Sequence, residues 1–332
     1  MPRSGWKRLA TLALKTGLAV LVLAYLYRHV ARTWRDLHVQ GRTIQVEPVW
    51  IVVAAALYLA GLSACGFVFA KVLAAGDAPI RPSVAIRAYL MSHLGKYVPG
   101  KAMVVVMRVV LTTPYGARPA TAALASVYET LTMMAAGAVV ASLGFVLSPA
   151  PVQLIPLGVS IGLAILLLVV VEPRIFPSVA ALLTLPFPNV GPEALPRLTH
   201  RLLGISVWYS ALGWILLGMS QVAVVRAIAP AGVAPGLWPV VTAGVALATL
   251  AGFLVAVMPG GLGVREGVLM AILAPAVGAD TAVVSALALR LTWVAAEVFA
   301  GAILTVARPA LPMEQSVPVF EPQPLGTESI GP

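Results

Sequence analysis

Gly95-Lys96-Tyr97-Val98-Pro99-Gly100-Lys101 cuts an apolar run at 83–112, and Met258-Pro259-Gly260-Gly261-Leu262-Gly263-Val264-Arg265-Glu266 cuts a second at 238–276. Proline removes a backbone donor and glycine loosens a helix. In hydrocarbon such a break leaves polar backbone unsatisfied. It is tolerated only inside protein or beside a water-filled cavity. A bilayer crossing takes about 20 apolar residues at 1.5 Å each, so the pieces 84–94 and 102–112 are too short to span alone. Both regions read as re-entrant hairpins or interrupted helices. The 238–257 piece is long enough to span, so for it both forms stay open.

Six uninterrupted segments flank these regions, at about 8–27, 50–72, 121–147, 151–171, 204–226 and 281–306. The chain has 332 residues, 60% hydrophobic and 10% charged, with mean hydropathy +0.96. Soluble domains carry about 25% charged residues. The expected fold is therefore all-α: a polytopic transmembrane helix bundle with two re-entrant or broken helices. The formal charge of +10 comes from 22 Lys+Arg against 12 Asp+Glu. On a soluble chain it would suggest nucleic acid. Here it fits basic residues on the cytoplasmic side and near anionic lipid, with no nucleic-acid partner. The single cysteine, Cys65, excludes a disulfide or cysteine cluster within the chain and reads as a packing residue.

Arg3, Lys7 and Arg8 precede the first apolar segment, and no small-x-small cleavage site follows it. It reads as an uncleaved helix, with Lys15 snorkelling to the near interface. Lys71, Arg81, Arg87, Lys96, Lys101 and Arg118 surround the first break, and Arg308 follows the last span. Basic short loops stay cytoplasmic, which puts both termini inside a cell inner membrane. Arg28, Arg32, Arg35 and Arg42 then fall outside, against the rule. The long connector 172–203 reads as cytoplasmic, with an interfacial segment near 175–187. Residues 1–308 form the expected transmembrane domain, and 309–332 a disordered cytoplasmic tail rich in Pro, Glu, Ser and Gly.

The chain also resembles itself. A shift of 160 places Pro99-Gly100 on Pro259-Gly260 and Thr121-Ala122 on Thr281-Ala282. The same ungapped shift places Leu131-Thr132 with Ala135-Ala136 on Leu291-Thr292 with Ala295-Ala296. Pseudo-repeats at about 50–171 and 204–306 follow. Three spans lie between the two breaks, and an odd number turns the second unit upside down. Inverted repeats whose broken helices meet near the midplane are a transporter architecture.

Charge buried in lipid is costly, so ionisable residues within spans are functional candidates. Glu129 lies in 121–147, and Arg290 and Glu297 lie in 281–306. Arg290 and Glu297 share a helix face two turns apart, beyond direct bonding. The repeat sets Glu129 one residue from Arg290, and a pair across the pseudo-twofold is expected. Such a pair reads either as a head-group site or as a packing lock. Lys96, Lys101 and Arg108 surround the first break, and Arg265 and Glu266 the second. Free amides at a broken helix together with Lys and Arg make an anion site. Lys96 and Lys101 also read as interfacial snorkels. Tyr97, Tyr128 and Trp293 read as cavity, belt or core aromatics. The substrate-binding candidates are thus Lys96, Lys101, Arg108, Glu129, Arg265, Glu266, Arg290 and Glu297. Pro99, Gly100, Pro259, Gly260, Gly261 and Gly263 are the structural breaks.

Catalytic and metal signatures are missing. No strand precedes the Gly260-Gly261-x-Gly263 run, so it is no dinucleotide or P-loop fingerprint. The four histidines show no zinc spacing, and no Ser-His-Asp set emerges. No cofactor is expected. Asp36 and Glu47 follow the first helix, where some membrane glycosyltransferases keep acidic residues, but they are not a close pair.

Gly95-Lys96-Tyr97-Val98-Pro99-Gly100-Lys101 with Arg108, and Pro259 to Glu266, resemble the paired motifs of the lysylphosphatidylglycerol synthase transmembrane-domain family, the flippase-like membrane proteins. The resemblance spans about 8–306. It implies a multi-helix domain that translocates or presents lipids. Relatives handle aminoacylated phosphatidylglycerol or sit beside glycan and hopanoid enzymes. Where many members carry Gly-Glu after the first motif, this chain has Met103 and Val104. That departure weakens the inference to a lysyl-lipid substrate. The aminoacyl-transfer domain of bifunctional relatives is not expected in the chain after Arg308. The resulting expectation is a non-enzymatic lipid translocase for a phospholipid or polyprenyl-phosphate-linked lipid. The alternatives are a transferase acting on lipid-linked sugar, or a non-catalytic partner of a lipid or glycan synthase.

Overall fold

The computed structural model describes residues 46–78, 80–97, 102–149, 153–185, 191, 194–255, 263–307 and 309. The expected first helix, Asp36, Pro99, Gly100, Lys101, Pro259, Gly260, Gly261 and the tail after 309 lie outside them. The described residues form ten α-helices and no strand. In chain order these are α1 (Pro48–Ala75), α2 (Pro82–Ser92), α3 (Ala102–Thr112), α4 (Pro119–Leu147), α5 (Leu154–Val170), α6 (Phe176–Thr184), α7 (His200–Ile228), α8 (Trp238–Leu254), α9 (Val264–Val277) and α10 (Ala279–Val306).

Local chemistry sets the helix starts. Pro48, Pro82 and Pro119 open α1, α2 and α4, where a missing N–H costs nothing and the fixed φ suits the helix. The Thr199 hydroxyl caps α7 by accepting from the Leu202 amide at 3.1 Å. Gly263 enters α9 with φ +84°, a backbone shape that favours glycine, and its amide donates to the Glu266 carboxylate at 2.7 Å.

Five stretches are long and apolar enough to cross a membrane: α1, α4, α7, Pro235–Leu254 and α10. At 28 residues, α1 is about 42 Å long, more than the ~30 Å hydrocarbon core. Ile155, Leu166, Trp208, Phe299 and Val306 stand exposed around the bundle. In water so wide an apolar surface would aggregate, and lipid is the solvent that suits it. The expected span at 151–171 forms a 17-residue helix, α5, about one turn short of a full crossing. The connector carries α6, a nine-residue helix within the expected 175–187 segment.

Both interrupted regions double back. α2 packs against α3, and α8 against α9, side by side with their own continuations. The turn His93–Tyr97 is a 3-10 helix. A side chain at Gly95 would meet the Val104 amide at 3.0 Å, so the two arms touch at their ends.

The order of elements repeats. α4 begins at 119 and α10 at 279, the separation of 160 seen in the sequence. Packing partners repeat as well. α1 lies on α2 as α7 on α8, and α3 on α4 as α9 on α10. α4 reaches α7 and α8, as α10 reaches α1 and α2. The most extensive interface joins α1 to α7 at the centre. There Gly61 and Gly213 let two backbones approach: a Cβ on Gly61 would sit 2.9 Å from the Gly213 carbonyl oxygen. Small residues serve such crossings in membranes, where helices gain little from hydrophobicity alone. Cys65 is buried at this crossing, in the packing role expected of it.

Candidate functional site

Each interrupted region delivers one member of a buried ion pair. On α3, Arg108 lies 2.6 Å from Glu129 of α4, and both are buried. Desolvating such a pair costs several kcal/mol per ion unless further hydrogen bonds satisfy it. They do so here. The Tyr89 hydroxyl donates to Glu129 at 3.0 Å, and Arg108 Nε donates to the Ser92 hydroxyl at 3.2 Å. The guanidinium also stacks 4.1 Å from the Tyr89 ring centre.

The second unit holds the same device with its signs exchanged. On α9, Glu266 accepts from Arg290 of α10 at 3.3 Å. The cation follows the break in the first unit, and the anion follows it in the second. The expected Glu129–Arg290 pair does not form. Repeat alignment brings equivalent positions into register, whereas partners must face one another. Each residue is instead paired inside its own half.

A third cluster ties the halves together. Glu297 of α10 is bound by Lys96 of the first hairpin and by the Tyr58 hydroxyl of α1. The Tyr97 hydroxyl donates to its second oxygen at 2.7 Å. Tyr58 stacks on Trp293 with ring centres 4.2 Å apart. The Trp293 indole donates to Ser220 of α7 at 3.0 Å, and Ser220 donates to the Ala54 carbonyl at 2.8 Å. Arg265 joins this group with its guanidinium 4.1 Å from the Trp293 centroid.

A cavity of about 420 Å³ opens between these clusters. Its wall carries Lys96, Arg108 and Arg265, with His93 beside them. The rest is largely apolar, with Leu62, Val105, Leu131, Met134 and Phe253 among the lining residues. The volume suits a head-group-sized ligand. Cations in an apolar, low-dielectric chamber attract anions far more strongly than in water.

The family model described as lysylphosphatidylglycerol synthase TM region matches residues 9–301. The chain belongs to that family. The match takes in both interrupted regions and every element that lines the cavity. Membership of this lysylphosphatidylglycerol synthase TM family makes the bundle a membrane protein related to lipid handling. A search of curated proteins finds no match to the chain.

Of the residues singled out in the sequence, Lys96, Arg108, Glu129, Arg265, Glu266, Arg290 and Glu297 take part in these three clusters. Lys101 lies outside the described residues. Trp293 lines the cavity, whereas Tyr128 packs edge-on against Phe176 away from it. Glu47 sits exposed just before α1 and does not line the cavity. Tyr58, Tyr89, Ser92 and Ser220 were not legible as site residues. The available signal was a tyrosine mid-span, whose hydroxyl needs a partner once buried.

Proposed function

We propose that this chain is a lipid translocase, a flippase-like carrier, for a phospholipid or polyprenyl-phosphate-linked lipid. One observation carries this reading: the two doubled-back regions converge on an apolar cavity whose wall holds Lys96, Arg108 and Arg265. Head-group phosphate occupies the cationic wall, and acyl chains follow the apolar one. The lysine acts as a point charge, and each arginine offers a two-pronged donor. We take α4, α5 and α7 each to cross the bilayer, α5 with 17 residues at the lower limit of a span, which sets the two regions on opposite faces of an inner membrane with both termini cytoplasmic. Two-sided access to one central chamber follows from that arrangement.

The test is reconstitution. Proteoliposomes carrying fluorescent lipids are exposed to an external quencher, and the fraction quenched is followed with time. A carrier exposes inner-leaflet label faster than protein-free vesicles do. Equal rates across several head groups, with the protein shown to be folded and inserted, overturn the reading.

A further inference from the structure

The translocase reading leaves the head group open, and the charges around the cavity narrow it. Among the described residues the wall contains three cations and no carboxylate. The carboxylates stand behind it. Glu297 faces Lys96, Glu129 faces Arg108, and Glu266 faces Arg290. Among the described residues of these clusters four cations thus meet three carboxylates, and one positive charge is left over.

That charge falls on Arg265. It is 8% exposed, lies against Trp293 and lines the cavity. Among the described residues no carboxylate comes within ion-pair distance of it. An aromatic face offsets only part of the desolvation of a guanidinium. The remaining stabilisation is open to an anion entering from the cavity side.

We propose that the cavity takes a head group of one net negative charge, a phosphodiester whose free oxygens meet Arg265. Two lipid sources share this chemistry: a glycerophospholipid with an uncharged alcohol, and a polyprenyl phosphosugar. A lysyl ester adds two ammonium groups to the single phosphate charge. Such a head group is net positive and meets three wall cations and no acid. A pyrophosphate brings more negative charge than the described residues leave unmatched. In a low dielectric, surplus charge is as costly as a deficit. This inference rests on the translocase reading and adds selectivity by head-group charge.

The experiment uses the full chain in proteoliposomes and acyl-labelled lipids, so that the head group is unaltered. The set is phosphatidylglycerol, a polyprenyl phosphosugar, a polyprenyl pyrophosphate-sugar, lysyl-phosphatidylglycerol and cationic ethyl-phosphatidylcholine. The singly anionic phosphodiesters are expected to move about 10- to 100-fold faster than the cationic pair, the range of one lost charged hydrogen bond. Arg265→Gln is expected to remove that preference, and Arg265→Lys to keep most of it. Comparison of the two phosphodiester arms identifies the source. If every lipid moves equally in the wild type, or the cationic lipids move fastest, the charge inference is overturned while the translocase reading stands. If no lipid moves, the translocase reading fails and takes this inference with it. The lipid series on wild-type protein and Arg265→Lys decide the matter even if Arg265→Gln does not fold.

Discussion

Arg108 and Glu129 meet at 2.6 Å with almost no exposure to solvent, and the ring of Tyr89 closes over the arginine. The pair joins the helix that leaves the first interruption to the long helix that follows it. It anchors the cavity wall as well as supplying a charge to it.

Removing one partner should therefore cost far more than removing both. Glu129→Ala leaves a buried guanidinium without its anion, and a loss of about 3–5 kcal/mol is expected. Arg108→Met combined with Glu129→Leu should recover most of the stability, because a well-packed apolar pair avoids desolvation altogether. Heating in detergent followed by size-exclusion chromatography measures this. If the double variant is as unstable as Glu129→Ala, the pair is not the unit described.

At Glu297 three donors converge, and they differ in kind. Tyr58→Phe removes a neutral donor to a carboxylate, and a cost of about 1.5–3 kcal/mol is expected. Glu297→Gln leaves Lys96 facing a neutral amide and should lower the melting temperature by clearly more. The ordering of the two variants is the measured quantity. A larger effect from Tyr58→Phe would show that the aromatic stack, and not the lysine–carboxylate contact, holds the cluster.

The α1–α7 crossing is tested by glycine substitution. Gly61→Ala drives a Cβ to 2.9 Å from the Gly213 carbonyl oxygen, and overpacking of this kind costs about 1–3 kcal/mol. Gly158 and Gly162 on α5 meet nothing within 4 Å, so Ala there should be neutral or stabilising by up to about 1 kcal/mol. Parallel melting curves separate the two classes. Equal effects would mean that helix propensity, not the crossing, sets the response.

Acid should loosen the connector between α5 and α7. Slight burial pushes the Glu172 carboxyl up, but the Arg174 amide, the His200 ring and the Ile175 amide outweigh it and hold it below the ordinary carboxylate range. A group depressed in the folded state contributes fully above its unfolded value of about 4.3, and the contribution fades as pH falls through the folded value. Limited proteolysis of 171–200 should accelerate as pH drops below about 4. Glu172→Gln should cleave at that faster rate already at neutral pH. Unchanged protection in the variant would show that the carboxylate does not hold the loop.

Much of this architecture was legible because lipid leaves few choices. Pro99-Gly100 and Pro259-Gly260 mark places where a helix cannot continue, and the helices on either side do fold back. The 160-residue shift anticipated the start of α10 from that of α4. Charged residues inside apolar runs are rare, and Arg108, Glu129, Arg265, Glu266, Arg290 and Glu297 all belong to a cluster. Their partners were not legible. Arg108 and Glu129 are 21 positions apart, and Glu266 and Arg290 are 24. No helical periodicity links them, because a hairpin turn intervenes and sets which faces meet. The tyrosines escaped for another reason. A tyrosine near Trp in an apolar span suits the membrane interface as well as it suits a buried carboxylate.

Lys96 sits on one half of the molecule, and the carboxylate that satisfies it sits on the last helix of the other. Pulling the first hairpin away would strand Glu297 and take two of its donors along with it. The halves are therefore bolted, not merely adjacent. A displacement of the first hairpin from the last described helix must break this joint, while the α1–α7 crossing still holds the halves together.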